Sequence, residues 1–292
     1  MDIVITYVDG NDSVWKQDYQ KYTNVPVMEK RFRDWGTLKY LLRGIEKHMP
    51  FVNNVFLVVS HPSQVPSWVD KTNLKVVLHS EFIPEELLPT FNSIPIEIYL
   101  HRIKELSEEY IYFNDDLFPV KDSVPEDFYR DGKGVLGFSR HWLACGMFKQ
   151  LCRNSDRAAR RVLSMPSTPC FIRPQHSCQP MFKSVCSEVY AALKDEILAS
   201  MTRVRTASNM CHYIYMDYAY LKGRMISERI SCKHFSAAVT SASRLRKFIE
   251  KPYRKFMCLN DVKLGEKKFL DMQSSVIKAF EAKFPQKSRF EI

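Results

Sequence analysis

The chain has 292 residues, 45% of them hydrophobic and 13% aromatic, which is enough to bury a sizeable core and excludes wholesale disorder. Its 43 lysines and arginines against 33 aspartates and glutamates leave a formal charge of +10, which suits an anionic partner without choosing among nucleic acid, a membrane face and a phosphorylated substrate. Apolar runs such as VFLVVS at 55–60 fall far short of the roughly 20 residues that cross a bilayer, and no basic-then-apolar leader opens the chain, so neither a membrane span nor a cleaved secretory signal is expected.

In chain order, DIVITYVDG at 2–10 is a β-branched and aromatic run closed by Asp-Gly, and it predicts a strand and turn. In WGTLKYLLRGIEKH at 35–48, Leu38, Leu41, Leu42 and Ile45 recur at three- and four-residue steps and mark one face of a helix. VFLVVS at 55–60 and LKVVLHS at 74–80 are short apolar strands of the kind found in a sheet covered on both faces. Residues 93–106 read as helix, with Ile94, Ile98 and His101 near one face, and EYIYFNDD at 109–116 is a strand running into two acidic residues. Strands separated by helical stretches predict an α/β fold with a mainly parallel sheet. After residue 117 the strand signals thin out, and 145–163, 180–201 and 207–222 read as helices around a proline-broken loop at 164–180. A basic stretch at 243–255 precedes FMCLND at 256–261, and a last amphipathic helix runs from about Lys268 to Phe284. The expected organisation is one catalytic domain, with an α/β core over 1–130 and a mostly helical part over 131–292.

Eight cysteines, all at or after Cys145, lack the close pairs of a structural zinc site; reduced, mostly buried thiols and a cytoplasmic address follow. Neither GxGxxG nor a Walker loop occurs, so P-loop and dinucleotide-binding readings lose their main support. The sharpest local feature is Asn114-Asp115-Asp116 at a strand end, where ligands gather in open α/β sheets. Two acidic groups there either hold a divalent cation on a diphosphate or cap the next turn. Asp2 and the cluster Asp9, Asn11 and Asp12 flank the first strand. Asp34 reads as a helix N-cap, with Arg31 and Arg33 either solvated or gripping phosphate. His176, on the proline-broken loop, is either an ordinary surface histidine or a general base. Arg203 and Arg205 alternate, so one of them faces any given site.

Taken together, these segments resemble the Stealth family of sugar-phosphate transferases. That family includes bacterial capsule and cell-wall polysaccharide phosphotransferases and the catalytic part of the animal lysosomal-enzyme N-acetylglucosamine-1-phosphotransferase. DIVITYVDGND at 2–12 resembles the family's opening motif, with Tyr7 where tryptophan is common. The longest match runs from RFRDWGTLKYLLRGIEKHMPFVNNVFLVVS through QVPSWV to LPTFNSIPIEIYLHRIKELSEEYIYFNDDLF, over roughly 31–129. A third block holds HSCQPMFKSV, TRVRTASN and DYAYLKGR, with Cys178 where the family commonly has proline; FMCLND and FPQKSRFE form the fourth.

The resemblance implies a GT-A-like or Rossmann-like nucleotide-sugar core that moves a hexose-1-phosphate from a UDP-sugar (UDP-GlcNAc or a similar UDP-hexose) to a hydroxyl of a glycan. UMP is released and a phosphodiester is left, as in bacterial capsule or surface polysaccharide synthesis. It places catalytic roles on Asp2, Asp116, His176 and Arg205, with Asp2, Asp115 and Asp116 holding Mg²⁺ or Mn²⁺. Arg31, Arg33, Asn92, His101, Arg102, Asn260 and Asp261 fall to substrate binding or site support. Expected partners are the UDP-sugar donor and a glycan or lipid-linked saccharide acceptor, with peripheral association at the inner membrane face through the basic surface. Two other readings stand beside it: a metal-dependent glycosyltransferase that releases UDP, and a basic nucleic-acid-binding module. The spread of basic residues and the lack of any nucleic-acid motif count against the last.

Overall fold

The computed structural model describes residues 1–27, 32–260 and 264–292. The apolar runs become strands where expected: β1 Asp2–Thr6, β2 Val55–Val59, β3 Lys75–Leu78 and β4 Glu109–Asn114. Ile3, Val4, Ile5 and all of Val55–Val59 are buried, as in a sheet covered on both faces. These four strands and β10 (Gln179–Phe182) form a mixed sheet in the order β10-β4-β1-β2-β3, with β10 antiparallel to β4. The fold class is α/β.

The remaining helices and strands interleave more finely than the sequence pattern predicts. Helix α1 is Ser13–Tyr22, α2 Leu38–His48, α3 Ser93–Tyr99, α4 Met147–Val162, α5 Lys183–Ser200, α6 Tyr213–Leu221, α7 Ala242–Glu250 and α8 Glu266–Lys283. The second half keeps its long helices and also holds short strands: β5 Leu117–Pro119, β6 Tyr129–Arg130, β7 Lys133–Leu136, β8 Phe138–His141 and β9 Phe171–Pro174, then β11 Met225–Ser227, β12 Cys232–Ser236 and β13 Phe256–Asn260. None exceeds five residues, and most lack the continuous apolar run that marks β1 to β4. The expected helix over 93–106 ends at Tyr99 and tightens into a 3-10 turn at Leu100–Arg102.

By contacts the chain forms two compact units, each built from three segments on both sides of residue 130. The first comprises Met1–Val4, Val77–Tyr112 and Pro125–Ile230; the second comprises Ile5–Val76, Phe113–Val124 and Ser231–Ile292.

In the second unit, β12 and β13 run parallel and β13 pairs antiparallel with β5. Helix α2 lies on β5 so closely that a Cβ on Gly44 would come within 2.5 Å of the Pro119 carbonyl. The Tyr40 ring stacks on Phe280 of α8 at 5.6 Å, and Phe118 meets the same ring at 4.8 Å. Arg43 grips both oxygens of Glu291 at 2.8 and 2.6 Å and donates to the Phe284 carbonyl at 2.7 Å, where α8 ends.

In the first unit, β11 is parallel and β6 antiparallel to β7, and β8 is antiparallel to β9. Helix α4 packs on α6 and on β9 and buries Leu151, Cys152, Ser155, Ala158 and Ala159, one face at helical spacing. Tyr129 ties β4 to β10: its hydroxyl lies 2.7 Å from the Tyr110 carbonyl and 2.8 Å from that of Met181, and it accepts from the Met181 N–H at 2.8 Å. All eight cysteines are free thiols, and five of them are buried.

Candidate active site

The second unit gathers an acidic pocket at the carboxyl end of β4. Its strand ends at Asn114, and the turn that follows carries Asp115 and Asp116. Asp116 is held from β13: its carbonyl accepts from the Leu259 N–H at 2.9 Å, and its Oδ2 accepts from the Cys258 thiol at 3.4 Å. Its Oδ1 is buried with no hydrogen-bond partner. Tyr7, Arg33, Asp34, Asp115 and Asp116 line a cavity of about 40 Å³. That is room for an ion or a water, whose share of liquid volume is about 30 Å³, and too little for a nucleotide.

Three carboxylates around one small cavity cannot all ionise cheaply. Burial, then the charges of Asp116 and Asp34, push the Asp115 carboxyl up to about 8. Burial and the charge of Asp9 also raise Asp34. Tyr7 hydrogen-bonds Asp34, and its hydroxyl is pushed above its ordinary range by burial and by Asp34, Asp9 and Asp115. Arg33 forms part of the wall, with its guanidinium 4.1 Å over the Phe269 ring and 3.4 Å from the Glu266 carboxylate. An orphaned carboxylate oxygen beside two carboxyls raised above their ordinary range is a donor set that suits a cation.

Asp34 does not cap a helix. Helix α2 starts at Leu38, and Asp34 Oδ1 instead accepts from the Gly36 N–H at 2.9 Å in a turn where Gly36 takes φ +66. The turn after β1 is pinned in the same unit: the Gly10 N–H donates to the Phe32 carbonyl at 2.8 Å, and a Cβ there would meet that oxygen at 2.5 Å. The family's Asp-Gly is thus more than a generic turn. It lets two backbone segments touch.

In the first unit, His176 sits half-buried on the short connection between β9 and β10. The neighbouring Gln175 fixes that connection. Its N–H donates to the Gly137 carbonyl at 2.7 Å, and its side chain makes a two-way pair with the Ile230 backbone at 2.9 and 3.0 Å. Cys178, the departure from the family pattern, is fully buried just beyond it. Arg205 and Asn92 come together although they are far apart in sequence. Asn92 caps α3 by accepting from the Ile94 N–H at 3.1 Å, and it donates to the Thr202 carbonyl at 3.0 Å and to Asn209 Oδ1 at 3.1 Å. Arg205 reaches the Ser93 hydroxyl and lies 3.5 Å from Asn92 Oδ1.

The other expected site residues are placed as follows. Asp2 is fully buried at the amino end of β1, its Oδ2 accepting from both the N–H and the hydroxyl of Ser107 at 2.9 and 2.7 Å. His101 is buried against Tyr190 and Tyr215. Its Nδ1 donates to the Ile98 carbonyl at 2.9 Å, and burial lowers its pKa to about 4, so it is neutral at pH 7. Arg102 is exposed, and Asn260 is exposed at the end of β13. Arg31 and Asp261 lie outside the described residues.

Sequence reasoning missed Asp34 as a pocket wall, and it missed Glu97 and His212. The latter two pair inside the first unit, with His212 Nδ1 2.6 Å from Glu97 Oε2. One signal was present: Glu97 lies three residues after Ile94 and one before Ile98, a charge set among the apolar positions of a short helix.

With both units described, the chain can be set beside known proteins. Residues 31–136 match the family model "Stealth protein CR2, conserved region 2". The capsular polysaccharide phosphotransferase WcwK of Streptococcus pneumoniae is 28% identical over 330 residues, covering 100% of this chain and 98% of the relative. A capsular polysaccharide phosphotransferase of Neisseria meningitidis serogroup B is 28% identical over 89% of this chain and 76% of its own. The receptor polysaccharide phosphotransferase WefC of Streptococcus oralis reaches 42%, over 45% of this chain and 42% of that protein. Among solved structures, the galactosyltransferase LgtC in complex with donor and acceptor sugar analogs aligns over 94% of this chain and 96% of that one. Its TM-score of 0.38 at 11% identity is too low to bear on the fold. The protein is a phosphotransferase enzyme. It is similar to the Stealth family through residues 31–136, which carry that family's conserved region 2.

Proposed function

We propose that this enzyme transfers a hexose-1-phosphate from a UDP-sugar to a hydroxyl of a growing bacterial surface glycan. The acceptor oxygen forms a bond to the β-phosphorus, the bond from that phosphorus to the bridging oxygen breaks, and UMP leaves. The observation that carries the reading is the acidic pocket at the end of β4. There Asp116 Oδ1 is buried without a partner, and Asp115 is held up at about 8 by burial and then by its acidic neighbours.

Asp115, Asp116 and Asp34 would hold a divalent cation, Mg²⁺ or Mn²⁺, and their chemistry fits one: hard oxygen donors around a cavity of ionic size. When bound, the cation supplies charge neutralisation on the diphosphate, which phosphoryl transfer needs most. Arg33 lies on the same wall and suits the diphosphate oxygens. His176, as general base, would take the proton of the acceptor hydroxyl, and Arg205 would balance charge developing on the transferred phosphoryl group. Asn92 and Ser93 orient Arg205. The carboxylate of Asp2 is occupied with Ser107, which suits it to bracing rather than to metal binding.

Full-length similarity to polysaccharide phosphotransferases supports a glycan acceptor. Among the described residues no helix is long and apolar enough to cross a membrane. The deciding experiment incubates the protein with a panel of UDP-sugars, with Mg²⁺ or Mn²⁺ and with EDTA, and separates UMP from UDP. Metal-dependent UMP that disappears in His176→Ala is the expected result. UDP as the sole nucleotide product would replace this reading with glycosyl transfer.

A further inference from the structure

Away from the acidic pocket, the first unit carries an open groove of about 710 Å³ along one face of α5. That volume lies in the range of ligand sites. Lys183, Ser187, Tyr190 and Lys194 recur at helical spacing and form one wall, and His101 and Arg102 of the 3-10 turn form the other.

The groove combines two kinds of chemistry. Its floor is aromatic. Tyr190 packs edge-on to Tyr99 at 5.3 Å, with the two hydroxyls 3.3 Å apart, and the neutral ring of His101 lies 5.5 Å from Tyr190. Its rim is cationic. Arg102 stands with its guanidinium 5.5 Å from the Tyr99 ring, and Lys194 is exposed. Lys183 uses two of its donors on the carbonyls of Ile103 and Leu106, at 3.0 and 3.2 Å, which leaves a third for a ligand. Glu86 is the acidic residue of the lining. Three cations outweigh it.

The spacing of the cations narrows the ligand. Lys183 and Lys194 are eleven residues apart on α5, which kinks at Leu193 just before the second lysine, so their separation is on the order of 16 Å at 1.5 Å per residue. A nucleic-acid strand carries a phosphate about every 3.4 Å and would present roughly five over that length. Few, widely separated cations beside aromatic faces suit a polymer whose charges are sparse and whose intervening units are sugar rings.

We infer that the α5 groove binds a phosphodiester-bearing glycan, with a sugar ring over Tyr190 and phosphates at Arg102–Lys183 and at Lys194. This rests on the transferase reading for its meaning, since such a chain is what the proposed reaction makes and would extend.

Binding is measured by calorimetry on the full chain with a panel of synthetic hexose oligosaccharides joined through a phosphodiester. Their phosphate-free counterparts and inorganic phosphate serve as controls. The expected result is saturable binding of a phosphodiester probe, weakened about tenfold by Lys194→Glu. UDP-sugar affinity and thermal midpoint should stay unchanged, because Lys194 is exposed. Lys194→Ala should fall between. The inference is overturned if no phosphodiester probe binds at millimolar concentration, if phosphate-free glycans bind equally well, if inorganic phosphate alone accounts for the affinity, or if Lys194→Glu binds like the wild type. No turnover is needed for these measurements. Loss of groove binding is therefore distinguishable from failure of the transferase reading, which the UMP assay decides.

Discussion

His212 and Glu97 face each other inside the first unit, with Nδ1 2.6 Å from Oε2 and the other ring nitrogen 2.7 Å from Gln179 Oε1. Tyr112 donates to the second carboxylate oxygen at 3.2 Å. Burial by itself would raise the Glu97 carboxyl; the charge of His212, its hydrogen bond and the charge of Arg205 outweigh that and hold it at about 2. The same carboxylate thus answers to a buried histidine and to the arginine assigned to the phosphoryl group.

Replacing Glu97 with Gln removes the carboxylate that His212 and Tyr112 meet in the interior. Disrupting a buried hydrogen-bonded partner costs about 1–3 kcal/mol, read as a lower urea midpoint at neutral pH. The acid limb carries the sign. Because the folded pKa lies near 2, below an unfolded value of about 4.3, the stabilisation is present above about 4.3 and is lost as pH falls towards 2. Wild type therefore loses stability through that window more steeply than Glu97→Gln. Parallel acid limbs for the two proteins would refute the assignment.

Much of the fold was legible because long periodic patterns dominate it: α2, α4, α5, α8 and the first four strands fall where hydrophobic spacing puts them. Most short strands of the second half were not, since two or three residues leave no period to read and proline, glycine or charged residues interrupt runs such as KGVL, FIRP and QPMF. For the site, Asp115 and Asp116 stood out as charges closing an apolar strand. The third carboxylate of the pocket did not. Asp34 precedes a helix by four residues and so reads locally as a cap, whereas tertiary packing against Tyr7 turns it towards the acidic pair. His176 carried no local signal beyond its loop. Its weight came from the family pattern, and the structure adds how Gln175 fixes that loop.

Asp116→Ala removes the orphaned oxygen and one of the charges that raise Asp115. The metal-free variant should melt no lower than wild type, because the carboxylate lost has one buried oxygen without a partner and only a weak thiol donor on the other. The contrast comes on adding Mn²⁺. A cation at about 100 times its dissociation constant should stabilise wild type by about 2.7 kcal/mol and leave the variant's midpoint unmoved. An equal upward shift in both proteins would place the cation elsewhere.

His176→Ala addresses the base. The connection holding it is anchored by Gln175 and by the strands on either side, so the substitution should leave the fold and donor affinity within about threefold of wild type while transfer slows about 10²–10⁴-fold. A rate within a factor of two of wild type would remove His176 from the chemistry.

Asp2 separates a bracing role from a catalytic one. Strand β1 begins at Asp2, and Tyr7, which feels the charge of Asp115, follows its last residue. The Asp2 carboxylate accepts twice from Ser107 at full burial. Hydrogen bonds to a charged group contribute about 1.5–3 kcal/mol each, so Asp2→Ala should lower unfolding free energy by at least about 1.5 kcal/mol. Asp2→Asn, which keeps an acceptor oxygen, should recover most of that. The rate per folded molecule should stay within about threefold in both variants. A rate reduced by orders of magnitude at unchanged urea midpoint would return Asp2 to the catalytic set.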